Sequence, residues 1–123
     1  MTNRTVTIST RDHGLVRIEC PAWCEGGHAD GGYLVDLTHL GPEVALEAPT
    51  GEGPVRTLLA SLEAHPYLPA PAARSVFANI ELDGAWYECT PGQLDDIAAA
   101  LVDHAERLRA LGRQLAAIQR GDR

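Results

Sequence analysis

Apolar and polar residues alternate along 4–10 (RTVTIST) and again along 15–20 (LVRIEC), the period of a strand with one covered face. RDHG at 11–14 reads as a turn between them. The pair predicts a hairpin whose second strand runs directly into Cys20. Residues 25–33 (EGGHADGGY) carry four glycines and no periodicity, so a loop is expected there. A short strand is expected over 33–40 and a second over 43–48 (EVALEA).

The pattern then changes period. In 54–65, Pro54 suits a first helical position, and Leu58, Leu59 and Leu62 form a short apolar stripe. These features predict a short middle helix ending at Pro66. PYLPAPAA at 66–73 is too proline-rich for anything but an extended loop. SVFANIELDGAWYECT predicts a hairpin over 74–89: Val76, Ala78, Ile80 and Leu82 alternate, and Asp83-Gly84 is a favoured type I′ turn pair.

A long helix over 91–118 closes the chain. Thr90 serves as N-cap, Pro91 takes the first helical position and Gln93 can reach back to complete a capping box. Apolar residues recur at 94, 97, 101, 108, 111, 115 and 118, and His104 takes the missing place in this heptad seam. Such a helix spans about 42 Å at about 1.5 Å per residue, whereas strands of about six residues span only about 20 Å. One small sheet therefore cannot cover the whole seam. Either the helix bends near Gly112, or 108–118 packs on another chain, and the second reading predicts a homodimer or a partner-docking helix.

Composition refines this picture. A chain of 123 residues suggests one domain, here with a thin core, because aromatics are few and alanine supplies much of the apolar fraction. A small core of this kind gains from a staple such as a metal. The net charge of −7 argues against general attraction to nucleic acid or anionic lipid. It is unevenly spread, however. Arg107, Arg109, Arg113, Arg120 and Arg123 face only Asp122 over 107–123, a net +4 that leaves −11 elsewhere. Such a tail suits an acidic partner, or simply places cations at the negative end of the helix dipole. All ten cationic side chains are arginine, a bias that points to genome composition. The first ten residues lack a signal-peptide pattern and no apolar run approaches a transmembrane length, so a cytoplasmic location is expected. In that compartment a cysteine cluster more often means metal or catalysis than a disulfide.

The cluster is CPAWCEGGH, which places Cys20, Cys24 and His28 on a regular step of four. With His39 it forms C-x3-C-x3-H-x10-H, a donor set for tetrahedral zinc. His13, Asp30 and Asp36 are the substitutes to consider for His39. Four protein ligands would make the site structural, because a catalytic zinc keeps an open position. A thiol-redox reading is weaker, since the cysteine spacing exceeds that of the Trp-Cys-x-x-Cys motif by one residue and no helix is expected after Cys24. The plainest alternative buries Cys20 and Cys24 as small apolar residues and leaves His28 in solvent. Cys89 reads as core. No GxSxG, Walker or GxGxxG pattern occurs. Glu25 could activate water at an open metal site, and His65 or His104 could act as a base, but none has a partner at motif spacing.

CPAWCEGGH, His39 followed by Gly41-Pro42-Glu43, and TPGQLDDIAAALVDHAERLRAL together resemble a group of small uncharacterised actinobacterial proteins. In them a Cys-Pro-x-Trp-Cys motif with a following histidine opens the domain and a Thr-Pro-x-x-Leu helix closes it. The resemblance spans most of the chain and implies a shared fold and a metal site. The expectation is an α+β protein with a small antiparallel sheet, a zinc-stapled loop, a short middle helix and a long C-terminal helix. Its function is expected to be that of a zinc-binding, non-enzymatic interaction or regulatory module. A metal-dependent or thiol enzyme using Cys20 and Cys24 is the alternative, and a nucleic-acid-binding regulator acting through Arg107, Arg109, Arg113 and Arg120 is the second.

Overall fold

The computed structural model describes residues 2–121, so Asp122 and Arg123 of the basic tail lie outside the described residues. The described residues form two compact units that divide between Cys89 and Thr90. The first unit is antiparallel β and the second is one helix, which makes the class α+β.

Strands β1 (Arg4–Thr10) and β2 (Gly14–Cys20) pair antiparallel in a two-stranded sheet, with Arg4 opposite Cys20 and Ile8 opposite Val16. Gly14 closes the turn at φ 64°, where a Cβ would be strained, and the Thr10 hydroxyl bonds both to the His13 amide and to the Gly14 carbonyl. The covered face follows the alternation. Ile8 and Ile18 are buried against Leu37, with Val6, Val16 and Tyr67 packed around them.

The glycine-rich stretch after β2 is pinned along the edge of β1. Gly31 donates to the Ser9 carbonyl at 2.8 Å, Arg11 donates to the Gly32 carbonyl at 2.7 Å, and the Asp30 carboxylate accepts the Ser9 amide. The strand expected over 33–40 is shorter than its composition suggested. Leu34–Asp36 form one 3-10 turn, begun by the Leu34 amide donating to the Asp12 carboxylate. Only His39–Leu40 remain extended, as β3. Leu37 and His39 alone point inward over this stretch, so the apolar run did not carry a strand period.

The second sheet has five strands. β4 (Val44–Thr50) and β3 both lie along one edge of β5 (Gly53–Ala64). β6 (Phe77–Leu82) takes the opposite edge of β5, and β7 (Ala85–Cys89) pairs with β6. The short helix expected over 54–65 is therefore β5, a strand. Two features produced the misleading pattern. Leu58 sits at φ 53°, and the register with β4 slips between Val44 and Leu46, so a bulge breaks the period-two alternation and leaves leucines at near-helical spacing. Pro54 starts a strand at the hairpin end opposite Pro49, a position that tolerates its missing donor. The β6–β7 turn has Asp83 at φ 53° and Gly84 at φ 80°, the two positive values that a type I′ turn requires.

Helix α1 (Pro91–Gln119) is unbroken at Gly112 and about 43 Å long at about 1.5 Å per residue. The capping box is complete: the Gln93 amide donates to the Thr90 hydroxyl at 3.2 Å, and the Gln93 side chain accepts the Thr90 amide at 2.9 Å. No residue of α1 is buried. Among the described residues, no helix is long and apolar enough to cross a membrane.

Candidate metal centre

The covered face of β2 ends on Cys20, and the next residues turn its neighbours back over it. Cys24 donates its amide to the Pro21 carbonyl at 2.9 Å, closing a tight turn that brings the second thiol beside the first. Gly26 and Gly27 follow at φ 79° and 71°, a left-handed pair that a side chain would strain and that carries the chain round to His28. The Gly26 amide donates to Cys24 Sγ at 3.3 Å, fixing the thiol's position in the loop.

His39 arrives from the other side. As the first residue of β3 it pairs opposite Ala64, while the next carbonyl, Leu40, accepts the Glu25 amide at 2.9 Å. Gly41 then donates to the Leu62 carbonyl at 2.9 Å. A Cβ on Gly41 would stand 3.2 Å from the Trp23 carbonyl oxygen, so the cysteine loop packs tightly on the backbone there. The loop is thus held by backbone bonds to β3, and β3 by β5.

These constraints bring one donor atom from each of Cys20, Cys24, His28 and His39 within 4.8 Å of one another. Cys20 Sγ lies 3.2 Å from His28 Nε2 and 3.6 Å from His39 Nδ1, and Cys24 Sγ lies 3.8 Å from His28 Nε2. In a zinc tetrahedron with bonds of about 2.3 Å to sulfur and about 2.05 Å to nitrogen, the S···N edge is roughly 3.6 Å. The three measured edges bracket that value. The four residues could therefore hold a metal ion at a common centre. Cys20, Cys24 and His39 are buried, and the histidine rings meet edge-on at 5.3 Å. Trp23 stands edge-on to His39 at 6.2 Å and shields that side.

Electrostatics describe the metal-free state of the same cluster. Burial, aided by the Cys24 thiol beside it, pushes the Cys20 thiol up to about 11, with Arg4 pulling weakly the other way. Burial lowers His28, and the Arg4 guanidinium lowers it further. Burial lowers His39 as well, with a smaller contribution from His28. Both imidazoles are thereby kept neutral, the form that ligates a metal. Arg4 itself was not apparent as a site residue. Its Nη2 donates to the Cys24 carbonyl at 2.6 Å, locking the loop from β1. Its position opposite Cys20 in the hairpin register is the signal that points to it.

The other candidates lie apart from this cluster. His13 pairs with Asp12 at 3.0 Å in the β1–β2 turn, Asp30 holds the Ser9 amide, and Asp36 sits exposed on the 3-10 turn. Glu25 is exposed, tied to the cluster only through its backbone. His65 instead bridges Glu63 at 2.7 Å and the Thr38 hydroxyl at 3.2 Å, stacked on Phe77. Cys89 is buried, with its thiol 3.8 Å from the Tyr87 carbonyl. His104, Arg107, Arg109 and Arg113 belong to α1 and Arg120 caps its C-terminus; Arg109 pairs with Glu106 at 2.6 Å.

One family model matches the chain, over residues 5–117: DUF6907, a domain of unknown function. No curated protein and no solved structure matches it.

Proposed function

The chain belongs to the DUF6907 family, and from that premise and the cluster's geometry we propose a zinc-stapled, non-enzymatic interaction module. The observation that carries the reading is the convergence of two thiols and two imidazoles within 4.8 Å. Thiolate and imidazole donors suit zinc among the common divalent ions. Four protein donors complete a tetrahedron and leave no position for water or substrate, which separates a structural site from a catalytic one.

The metal's role is to fold the first unit. Its buried aliphatic cluster consists of Ile8, Ile18 and Leu37, which together contribute roughly 5–9 kcal/mol at about 1.5–3 kcal/mol each. A structural zinc binds with on the order of 10 kcal/mol, which at about 50 µM free zinc adds about 4 kcal/mol to folding, a large supplement to that core. It would order the CPAWCEGGH loop and present the surface around Trp23. The second unit supplies the docking element: a 29-residue helix whose seam lies open, with Leu108 55%, Leu111 59% and Ile118 60% exposed. An exposed apolar stripe on a well-capped helix is the signature of helix-to-helix docking.

Native mass spectrometry of the purified full chain, with and without a chelator, tests the reading. One metal per chain, lost on chelation together with near-ultraviolet tryptophan signal, is expected. A fully folded chain that takes up no metal from stoichiometric zinc overturns it.

A further inference from the structure

We propose that α1 pairs antiparallel with α1 of a second copy of this chain. The inference rests on the interaction-module reading and names its partner. Three properties of the helix carry it.

First, the seam is a palindrome about Glu106. Leu94 and Ile118 each lie twelve residues from that centre, Ile97 and Leu115 nine, Leu101 and Leu111 five, and His104 and Leu108 two. In heptad terms Leu94, Leu101, Leu108 and Leu115 form one row, while Ile97, His104, Leu111 and Ile118 form the other. A two-fold axis at Glu106 sets each member of one row level with a member of the other. Every layer is then filled by one residue of each kind, and each His104 meets Leu108 of the second copy. A parallel pair would instead stack His104 on His104 and put leucine on leucine. Parallel arrangements with Leu in the first row and Ile in the second drift to higher oligomers.

Second, the charges are split about the same centre. The first half carries Asp95, Asp96 and Asp103 with no cation, and 107–120 carries Arg107, Arg109, Arg113 and Arg120 with no acid. Antiparallel pairing brings each −3 half alongside a +4 half, an attraction acting at long range because only Arg107 flanks the seam, and it opposes the two helix dipoles. Parallel pairing lays like on like.

Third, one flank of the seam is free of bulk. Ala98, Ala105 and Gly112 occupy it, so Ala98 comes within about 3 Å of level with Gly112 of the second copy, and the two Ala105 residues within about 3 Å of level with each other. Small residues there let the helix axes approach closely. Gly112 otherwise costs an exposed helix about 1 kcal/mol relative to alanine, and close approach gives it a use. The face itself is open: no residue of α1 is buried, and Leu115 is 53% exposed.

The test uses the zinc-loaded full chain. Sedimentation equilibrium is expected to give twice the 13.2 kDa chain mass. Leu108→Glu is expected to return it to one chain mass, and His104→Leu to tighten the dimer at least tenfold by removing the polar layer. Orientation is read by oxidative cross-linking in a Cys89→Ser background. Ala98→Cys mixed with Gly112→Cys is expected to give a disulfide-linked heterodimer, since the two positions stand within about 3 Å of level at about 1.5 Å per residue. Neither variant should cross-link alone. Cross-linking of Ala98→Cys with itself overturns the antiparallel arrangement. A monomer at 100 µM with its metal still bound overturns the dimer while leaving the metal centre standing. A monomer that binds no metal overturns the module reading as well.

Discussion

Removing zinc from the chain should lower the melting point of the Met1–Cys89 unit by tens of degrees. A structural site contributing about 10 kcal/mol corresponds to a dissociation constant of roughly 50 nM. At 50 µM free zinc, about a thousandfold above that constant, the folded state gains about 4.1 kcal/mol over the metal-free state. For a unit of 89 residues, each kcal/mol moves the midpoint by about 4–8 °C. The expected difference between excess zinc and excess chelator is therefore about 16–33 °C. Near-ultraviolet circular dichroism is the right observable, because Trp23 packs edge-on to His39 and reports the site. Far-ultraviolet signal would be dominated by the 29 residues of α1. A difference under about 4 °C would refute the reasoning, since it would mean that the cluster either binds no ion or folds equally well without one.

Three further outcomes follow from the geometry. Cys20→Ser and His39→Ala should each abolish stoichiometric zinc retention through gel filtration, whereas Cys89→Ser, outside the cluster, should retain one zinc per chain. Zinc affinity, measured by competition with a chromophoric chelator, should rise at least about tenfold per pH unit from pH 6 to 8. The buried Cys20 thiol keeps its proton up to about 11 without metal and must release it on binding, while burial biases both imidazoles toward the neutral, ligating form; a flat profile would contradict this. Gly41→Ala should destabilise the zinc-bound chain by roughly 1–3 kcal/mol, because the new methyl meets the Trp23 carbonyl at 3.2 Å. Chemical denaturation of that variant with zinc present checks the sign.

What could be read from the residues, and what could not, divides along a physical line. Elements written in local chemistry were legible. The Thr90–Gln93 capping box, the Asp83-Gly84 turn and the β1–β2 alternation each depend on a few adjacent residues, and the backbone follows them. The four-residue step of Cys20, Cys24 and His28 was equally visible, and His39 followed it in the same loop-rich region. Residues 54–65 failed for a non-local reason. A bulge at Leu58 is fixed by pairing with β4, so the leucine spacing imitated a helix that tertiary context overrides. The parallel bridge of Thr10 to Gly32 and the clamp of Arg4 on the Cys24 carbonyl are also cross-chain events with no local signature. The seam of α1 was legible as a heptad pattern, and none of the helix's 29 residues is buried.

The central claim is that Cys20, Cys24, His28 and His39 close on one zinc ion. X-ray absorption at the zinc edge of the loaded chain tests it most directly. The account predicts two sulfur neighbours at about 2.3 Å and two nitrogen neighbours at about 2.0–2.1 Å, with no oxygen in the shell. A shell containing water oxygen, or a sulfur count other than two, would contradict it.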